Sequence, residues 1–189
     1  MCAAGPAQAV LAAPVADAYV VSADAIANLV AVSPTPHSNF PGPPGPGTVT
    51  VSGIAVGPFV SNSLLTATTA GNVTTGTSSA SATVDSLSAH LPIPTAISPT
   101  TLSVTGVNSS CTAPAAPGTA TGSGVIASGS VTVDSLLPVT LQANAAPNTM
   151  VVVPGLGTII LNEQSTDANG VLTVNAVHLT LLPAGNALR

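Results

Sequence analysis

This chain of 189 residues carries few groups that could do chemistry: six acids, three histidines, two cysteines, one tyrosine and a single cation, Arg189. Paired carboxylates can act as general acid and base on a glycosidic bond. The one Glu, Glu163, has Asp167 as its nearest acid, but a turn signal falls between them and no catalytic pair is expected. His37, His90 and His178 share none of the short spacings, such as H-x-x-x-H, that bring two imidazoles to one metal. Serine is so abundant, at 20 residues, that a Ser–His–Asp set can be drawn on paper, yet no G-x-S-x-G nucleophile elbow occurs. Asp167-Ala168-Asn169-Gly170 matches part of a calcium loop, but the further acids and closing Glu of such a loop do not follow, so it reads as a turn. Asp85 and Asp134 read as residues that cap or terminate strands. Asn72-Val73-Thr74 and Asn108-Ser109-Ser110 fit the N-glycosylation sequon, as chance allows in a chain this rich in Ser and Thr. The expectation is a protein with no catalytic residue, no metal and no cofactor.

Composition narrows the function classes. Ala, Val, Thr and Ser contribute 31, 24, 24 and 20 residues, more than half of the chain. The net charge is −5, with no Lys. Binding to nucleic acid or to an anionic membrane draws on Lys and Arg, so neither partner is expected. Leu, Ile, Val and Phe make up 50 of 189 residues, well above the roughly 20% below which chains tend to be disordered. Mean hydropathy is high, at +0.60. A spanning helix needs about 20 apolar residues in a row, and the best stretch, residues 9–21, is broken by Pro14 and Asp17. Residues 1–16 contain no Lys or Arg, and Ala7-Gln8-Ala9 has the A-x-A cleavage form without an apolar region before it. They read as a flexible segment and the remnant of an export signal, ahead of one domain over 17–189. Cys2 and Cys111 are an even count, which allows a disulfide. The terminal position of Cys2 weighs against one.

The elements that must position these groups are strands. Short Val/Thr/Ile/Leu runs alternate with Gly, Pro, Ser and Asn, and nothing sustains a helical period. Strands are predicted near residues 19–24, 28–32, 48–56, 63–68, 80–89, 101–107, 124–128, 130–136, 139–143, 149–153, 157–164 and 171–182. Residues 33–47 hold six prolines and read as an extended loop of polyproline II character. Val84-Asp85-Ser86-Leu87 recurs as Val133-Asp134-Ser135-Leu136, a faint internal echo. Asn169-Gly170 lies between two hydrophobic runs and predicts an antiparallel hairpin turning over 167–170. The fold class is all-β, a mainly antiparallel sandwich, with a β-solenoid as the alternative.

The most distinctive residues lie between Pro147 and His178: Pro147-Asn148-Thr149, Pro154-Gly155-Leu156-Gly157-Thr158, Leu161-Asn162-Glu163-Gln164 and Leu172-Thr173-Val174-Asn175-Ala176-Val177-His178. This stretch resembles the bacterial choice-of-anchor P family. The resemblance implies a secreted domain fixed to the surface by varied C-terminal anchors, with no known enzyme activity and no established ligand. No export signal is visible and no sorting signal follows Leu182, so the sequence reads as a piece of a longer chain. Gly155 and Gly157 suit a tight or left-handed turn. Asn162, Glu163 and Gln164 are expected to lock the hairpin to a neighbouring loop, and Asn175 and His178 complete the motif on the next strand. The expected function is a non-catalytic extracellular or cell-surface structural protein, adhesive or self-associating, with the cell envelope as its setting and its ligand unknown. The alternative is a carbohydrate- or surface-binding module.

Overall fold

Hydroxyl-bearing and β-branched side chains sit well on a pleated surface, and the computed structural model is a set of antiparallel strands throughout. It describes residues 2–3, 15–25, 30–41, 47–52, 55–56, 60–91, 100–115, 118–133 and 137–181. The strands are β1 (Cys2–Ala3), β2 (Val15–Ala25), β3 (Val30–Phe40), β4 (Gly47–Ser52), β5 (Ala55–Val56), β6 (Val60–Asn62), β7 (Leu64–Asn72), β8 (Thr77–Leu91), β9 (Thr100–Ala113), β10 (Thr121–Val125), β11 (Ser128–Thr132), β12 (Val139–Leu141), β13 (Thr149–Val153), β14 (Gly157–Thr166) and β15 (Val171–Leu181). One sheet runs β13-β14-β15-β1-β2-β3. The other is built on the long β8–β9 hairpin, with β7 and β4, then β6 and β5, on the β8 side, and with β10, then β11 and β12, on the β9 side. The two sheets pack as a sandwich and do not close into a barrel. A solenoid would stack parallel coils, whereas every described pairing is antiparallel. No helix among the described residues is long and apolar enough to cross a membrane.

The core divides in two. One cluster is aliphatic, with Leu102, Val104, Val131 and Leu141 meeting Val153, Leu156, Ile159 and Leu161 of the facing sheet. The other is built of small residues, Ala16, Ala18, Ala67, Ala80 and Ala113, with Leu172, Cys111 and one ring, Phe40. Small side chains let the sheets approach, and hydroxyls then reach across. Ser78 Oγ donates to Val15 O at 3.0 Å, and Ser38 Oγ shares a 2.8 Å hydrogen bond with Thr69 Oγ1. A Cβ on Gly71 would fall 2.3 Å from the Phe40 ring, so the glycine makes room for it.

Between the two clusters the strands change phase. In β8 the inward residues run Ala80, Ala82, Val84 and then Leu87, Ala89. In β9 they run Leu102, Val104 and then Val107, Cys111, Ala113. The slip falls at Asp85-Ser86 and Thr105-Gly106, where Gly106 has φ +57°. Both flanking strands break at the same level. Ser63 interrupts β6 and β7, exchanging bonds with Ser86, and Ile126-Ala127 interrupts β10 and β11, with Ala127 N donating to Thr105 O. A crease thus crosses β6/β7, β8, β9 and β10/β11. The facing sheet slips at the same place, from Leu161 to Asn162 in β14 and from Ala176 to Val177 in β15. Asn162 takes the left-handed conformation there, with φ +49°.

Three expectations are corrected. The loop over 33–47 is strand as far as Phe40, paired with β2. β3 is an edge strand, and on an edge the missing proline N–H removes no ladder bond; the turn proper begins at the cis peptide Phe40-Pro41, with residues 42–46 outside the described set. The segment 1–16 is part of the sheet at both its described ends. β1 pairs with β15 and β2, and Ala16 is fully buried. Cys111 is disulfide-bonded, and the chain's other cysteine is Cys2. Cys2 and Ala3 are held in the sheet, β1 lies against β8 and β9, and residues 4–14 lie outside the described residues. Of the internal echo, the first copy is the slip of β8, while residues 134–136 of the second lie outside the described residues.

Gly106→Ala tests the crease. A Cβ there would stand 2.6 Å from Ala127 Cβ on a backbone with φ +57°. The left-handed strain and the overlap together should cost about 2–4 kcal/mol, read as a lowered urea midpoint with an unchanged slope.

Candidate functional site

The residues singled out in 147–178 converge on the β13–β14–β15 meander. The predicted hairpin forms, with Thr166 opposite Leu172. Its turn is set by Asp167, whose Oδ1 accepts from Asn169 N and Val171 N, each at 2.8 Å, while Gly170 takes φ +80°. The Val171 bond, opposed by desolvation and helped by Asn169, holds the Asp167 carboxyl below its usual range. Those oxygens thus serve the backbone of a turn. At the other end, Gly155 and Gly157 take φ +77° and +147°, and the tight turn between them sends Leu156 into the core.

The slip at Asn162 puts the motif on both faces of the sheet. Inward, Asn162 is buried. Its Oδ1 accepts from Gly124 N at 2.7 Å and Gln164 Nε2 at 2.9 Å, and its Nδ2 donates to Ala145 O at 3.0 Å. Gln164 Nε2 also donates to Gly122 O at 3.1 Å. Asn148 closes the set from the loop before β13: its N donates to Asn162 O, and its Oδ1 accepts from Gln164 N. Two side-chain amides therefore join β10 of one sheet to β14 of the other and to the 145–148 loop. β10 comes this near because it lacks side chains: a Cβ on Gly124 would lie 2.8 Å from Ala176 Cα, and one on Gly122 would lie 2.4 Å from Val174 Cγ2.

Outward, Glu163 Oε2 accepts from Asn175 Nδ2 at 2.7 Å, and His178 Nδ1 lies 2.9 Å from the same oxygen. Partial burial opposes ionisation of Glu163, but the bonds from Asn175 and His178 and the imidazole's charge outweigh it, leaving the carboxyl below its ordinary value. The pair has no third partner for metal chemistry; among the described residues no group of three His, Cys, Asp or Glu could hold an ion. His90 is exposed on β8 and His37 lies on β3, so the three histidines stand on separate strands.

Beside this cluster the outer face carries exposed apolar side chains. Met150 and Val152 of the edge strand β13 are 65% and 66% exposed, and Met150 is opposite Ile160, which is opposite His178. Sequence reasoning did not single out these residues, although two alternate outward positions in Thr149–Val153 carry large apolar side chains. No family model matches the chain, and comparison with curated proteins and with solved structures finds no match.

Two predictions follow from the two faces. Asn162→Asp keeps the acceptor for Gly124 but turns a buried donor to Ala145 O into a repelling oxygen, at a cost of about 1–3 kcal/mol. Because the Glu163 carboxyl is lowered in the folded state, its contribution is present above its ordinary value and is lost as pH falls through the folded one. The thermal midpoint of Glu163→Gln should fall less than that of the wild type between about pH 6 and about pH 3.

Proposed function

We propose that the protein is a non-catalytic structural domain of the choice-of-anchor type, displayed outside the cell and self-associating through the exposed edge of β13. The observation that carries the reading is the chemistry of that edge. Edge strands normally carry charge, proline or short length to prevent pairing with other chains. The edge β3 has Pro34 and Pro36, and β12 and β5 are three and two residues long. β4, also an edge, has six residues and neither charge nor proline, but the side chains it exposes are Thr48 and Thr50; β13 has five residues, no charge and no proline, and it adds Met150 and Val152 on the outer face. Two such edges, brought together antiparallel, would pair their backbones and bury those side chains. The Cys111 disulfide supports an oxidising compartment, because such bonds persist chiefly outside the reducing cytosol. The bonds of Glu163 to Asn175 and His178 then tie β14 to β15, a positioning role rather than a chemical one.

Carbohydrate binding, the other class, draws little support. Such sites stack exposed aromatic rings on sugars, and Phe40, the aromatic whose side chain is described, is buried against Gly71.

Sedimentation tests the reading. The wild type should associate as its concentration rises, and Val152→Lys should remain monomeric with an unchanged thermal midpoint. A wild type that stays monomeric at high concentration overturns the self-association. Protease shaving of intact producing cells should release peptides of this domain; their recovery from lysed cells alone overturns the placement outside the cell.

A further inference from the structure

The fold treats the two Asn-X-Ser/Thr sequons in opposite ways. Asn108 lies inside β9, opposite Thr83 of β8 and Val125 of β10, so a strand on each side encloses its backbone. Asn72 ends β7 and faces Thr77 across the β7–β8 hairpin, whose loop is Val73-Thr74-Thr75-Gly76. Residues 70–75 are exposed, with Val73 at 59%. Gly76, at φ +71°, closes the loop by donating its N–H to Asn72 O at 2.9 Å. Asn72 Oδ1 accepts from Thr74 N at 2.9 Å and from Thr75 N at 3.2 Å. Thr75 Oγ1 donates to Asn72 O and shares a 3.1 Å bond with Thr77 Oγ1. Among the described residues, neither Asn72 Nδ2 nor Thr74 Oγ1 makes a hydrogen bond. The turn thus occupies the amide oxygen and Thr75, and leaves the sequon's amide nitrogen and hydroxyl to solvent.

We propose that Asn72 is an N-glycosylation site, and that Asn108, the same sequon inside a paired strand, is not. A transferase has to close around its acceptor residues, which an exposed hairpin tip allows and a strand bonded on both sides forbids. The co-substrate is an activated sugar, a glycosyl diphosphate. Asn72 Nδ2 attacks its anomeric carbon. The N–C bond forms as the C–O bond to the diphosphate breaks, the diphosphate leaves with the electron pair, and one Nδ2 proton passes to a base of the transferase. An amide nitrogen is a poor nucleophile, because its lone pair is shared with the carbonyl. The two N–H donors on Asn72 Oδ1 favour the deprotonated amide, whose charge rests largely on that oxygen. Thr74 Oγ1 is the hydroxyl left free for the transferase to read. The attached sugar adds hydrophilic surface beside Val73, at a tip that carries no charged residue. The inference rests on the placement outside the cell and not on the β13 edge, since β7 and β8 belong to the other sheet.

The test is mass spectrometry of the protein from producing cells, cut with elastase because its one cation, Arg189, offers trypsin no internal site. Peptides spanning residues 70–76 should carry hexose or N-acetylhexosamine on Asn72, and those spanning Asn108 should be bare. Thr74→Ala should lose the sugar completely, and Thr74→Ser should keep it. Made without sugar, the Thr74→Ala protein should keep the wild-type thermal midpoint, because the lost hydroxyl bonds nothing. In a second arm, the sugar-free full chain is treated with a soluble glucosyltransferase specific for Asn-X-Ser/Thr and UDP-glucose. The folded chain should be labelled at Asn72 alone, and the reduced, denatured chain at Asn108 as well. Bare Asn72 in molecules released by shaving overturns the site and leaves the placement standing. A sugar on Asn72 of molecules recovered by lysis alone upholds the site and overturns the placement. Bare Asn72 in those lysed molecules, or labelling of Asn108 in the folded chain, also overturns the proposal.

Discussion

Everything above and below the middle of this sandwich is referenced to one side chain, the Asn162 amide. It sits where the inward-facing set of β14 slips by one residue, in a left-handed conformation that asparagine tolerates better than most residues. Its oxygen and nitrogen satisfy a backbone donor from the facing sheet and a backbone acceptor from the loop before β13. A buried polar group left unpaired would cost about 1–3 kcal/mol, so the amide, Gly124, Ala145 and Gln164 hold one another to a single arrangement. The crease in the opposite sheet, from Ser63 through Gly106 to Ala127, lies at the matching level. Two sheets that slip at the same height stay complementary, and the core can be aliphatic on one side of the crease and alanine-based on the other.

That division explains how a chain with almost no rings closes a core. Where Leu, Ile and Val meet, burial of apolar area drives packing in the usual way. Where Ala meets Ala, little area is available per residue, and other contacts contribute. Hydroxyls bridge the sheets directly, as Ser78 does to Val15 O. Glycines of β10 bring backbone against backbone. The Cys111 disulfide adds a covalent closure in that cluster. Serine, threonine and glycine, which look like surface or turn residues in a composition table, are here the interior material of half the sandwich.

Much of the fold was legible because strand and turn signals are local. β-branched runs and their Gly, Pro and Asn punctuation located most strands within a few residues, and Asn169-Gly170 located the β14–β15 turn. The failures have physical reasons. β1 is two small residues with no pattern of its own. Proline on β3 signals a loop only if the strand must donate on both sides, and an edge need not. The disulfide was hidden by the same error, since a terminus taken as loose offers no partner. The slips left a trace that pattern reading could have used: in β15 the inward set Leu172, Val174, Ala176 gives way to Val177, Leu179, Leu181, and Val84-Asp85-Ser86-Leu87 puts two polar residues where alternation allows one. Of the candidate site, the residue types were legible, but their sorting to two faces was not, because it depends on the backbone sign at Asn162.

The scarcity of charge makes sheet edges the place where sequence and behaviour meet most directly. A β protein with many lysines can leave its edges long, because a charge that must be desolvated resists pairing. This chain has one cation in 189 residues, and several of its described edges depend on geometry instead. β3 uses proline, β5 and β12 use brevity, and the crease breaks the β6/β7 and β10/β11 lines into short lengths. None of these devices acts on β13, whose neighbour β14 is tied to β10, β15 and the 145–148 loop by the Asn162 and Glu163 networks. The rigidity that the interior amides provide is therefore the same rigidity that keeps an uncharged edge presented to whatever strand comes beside it.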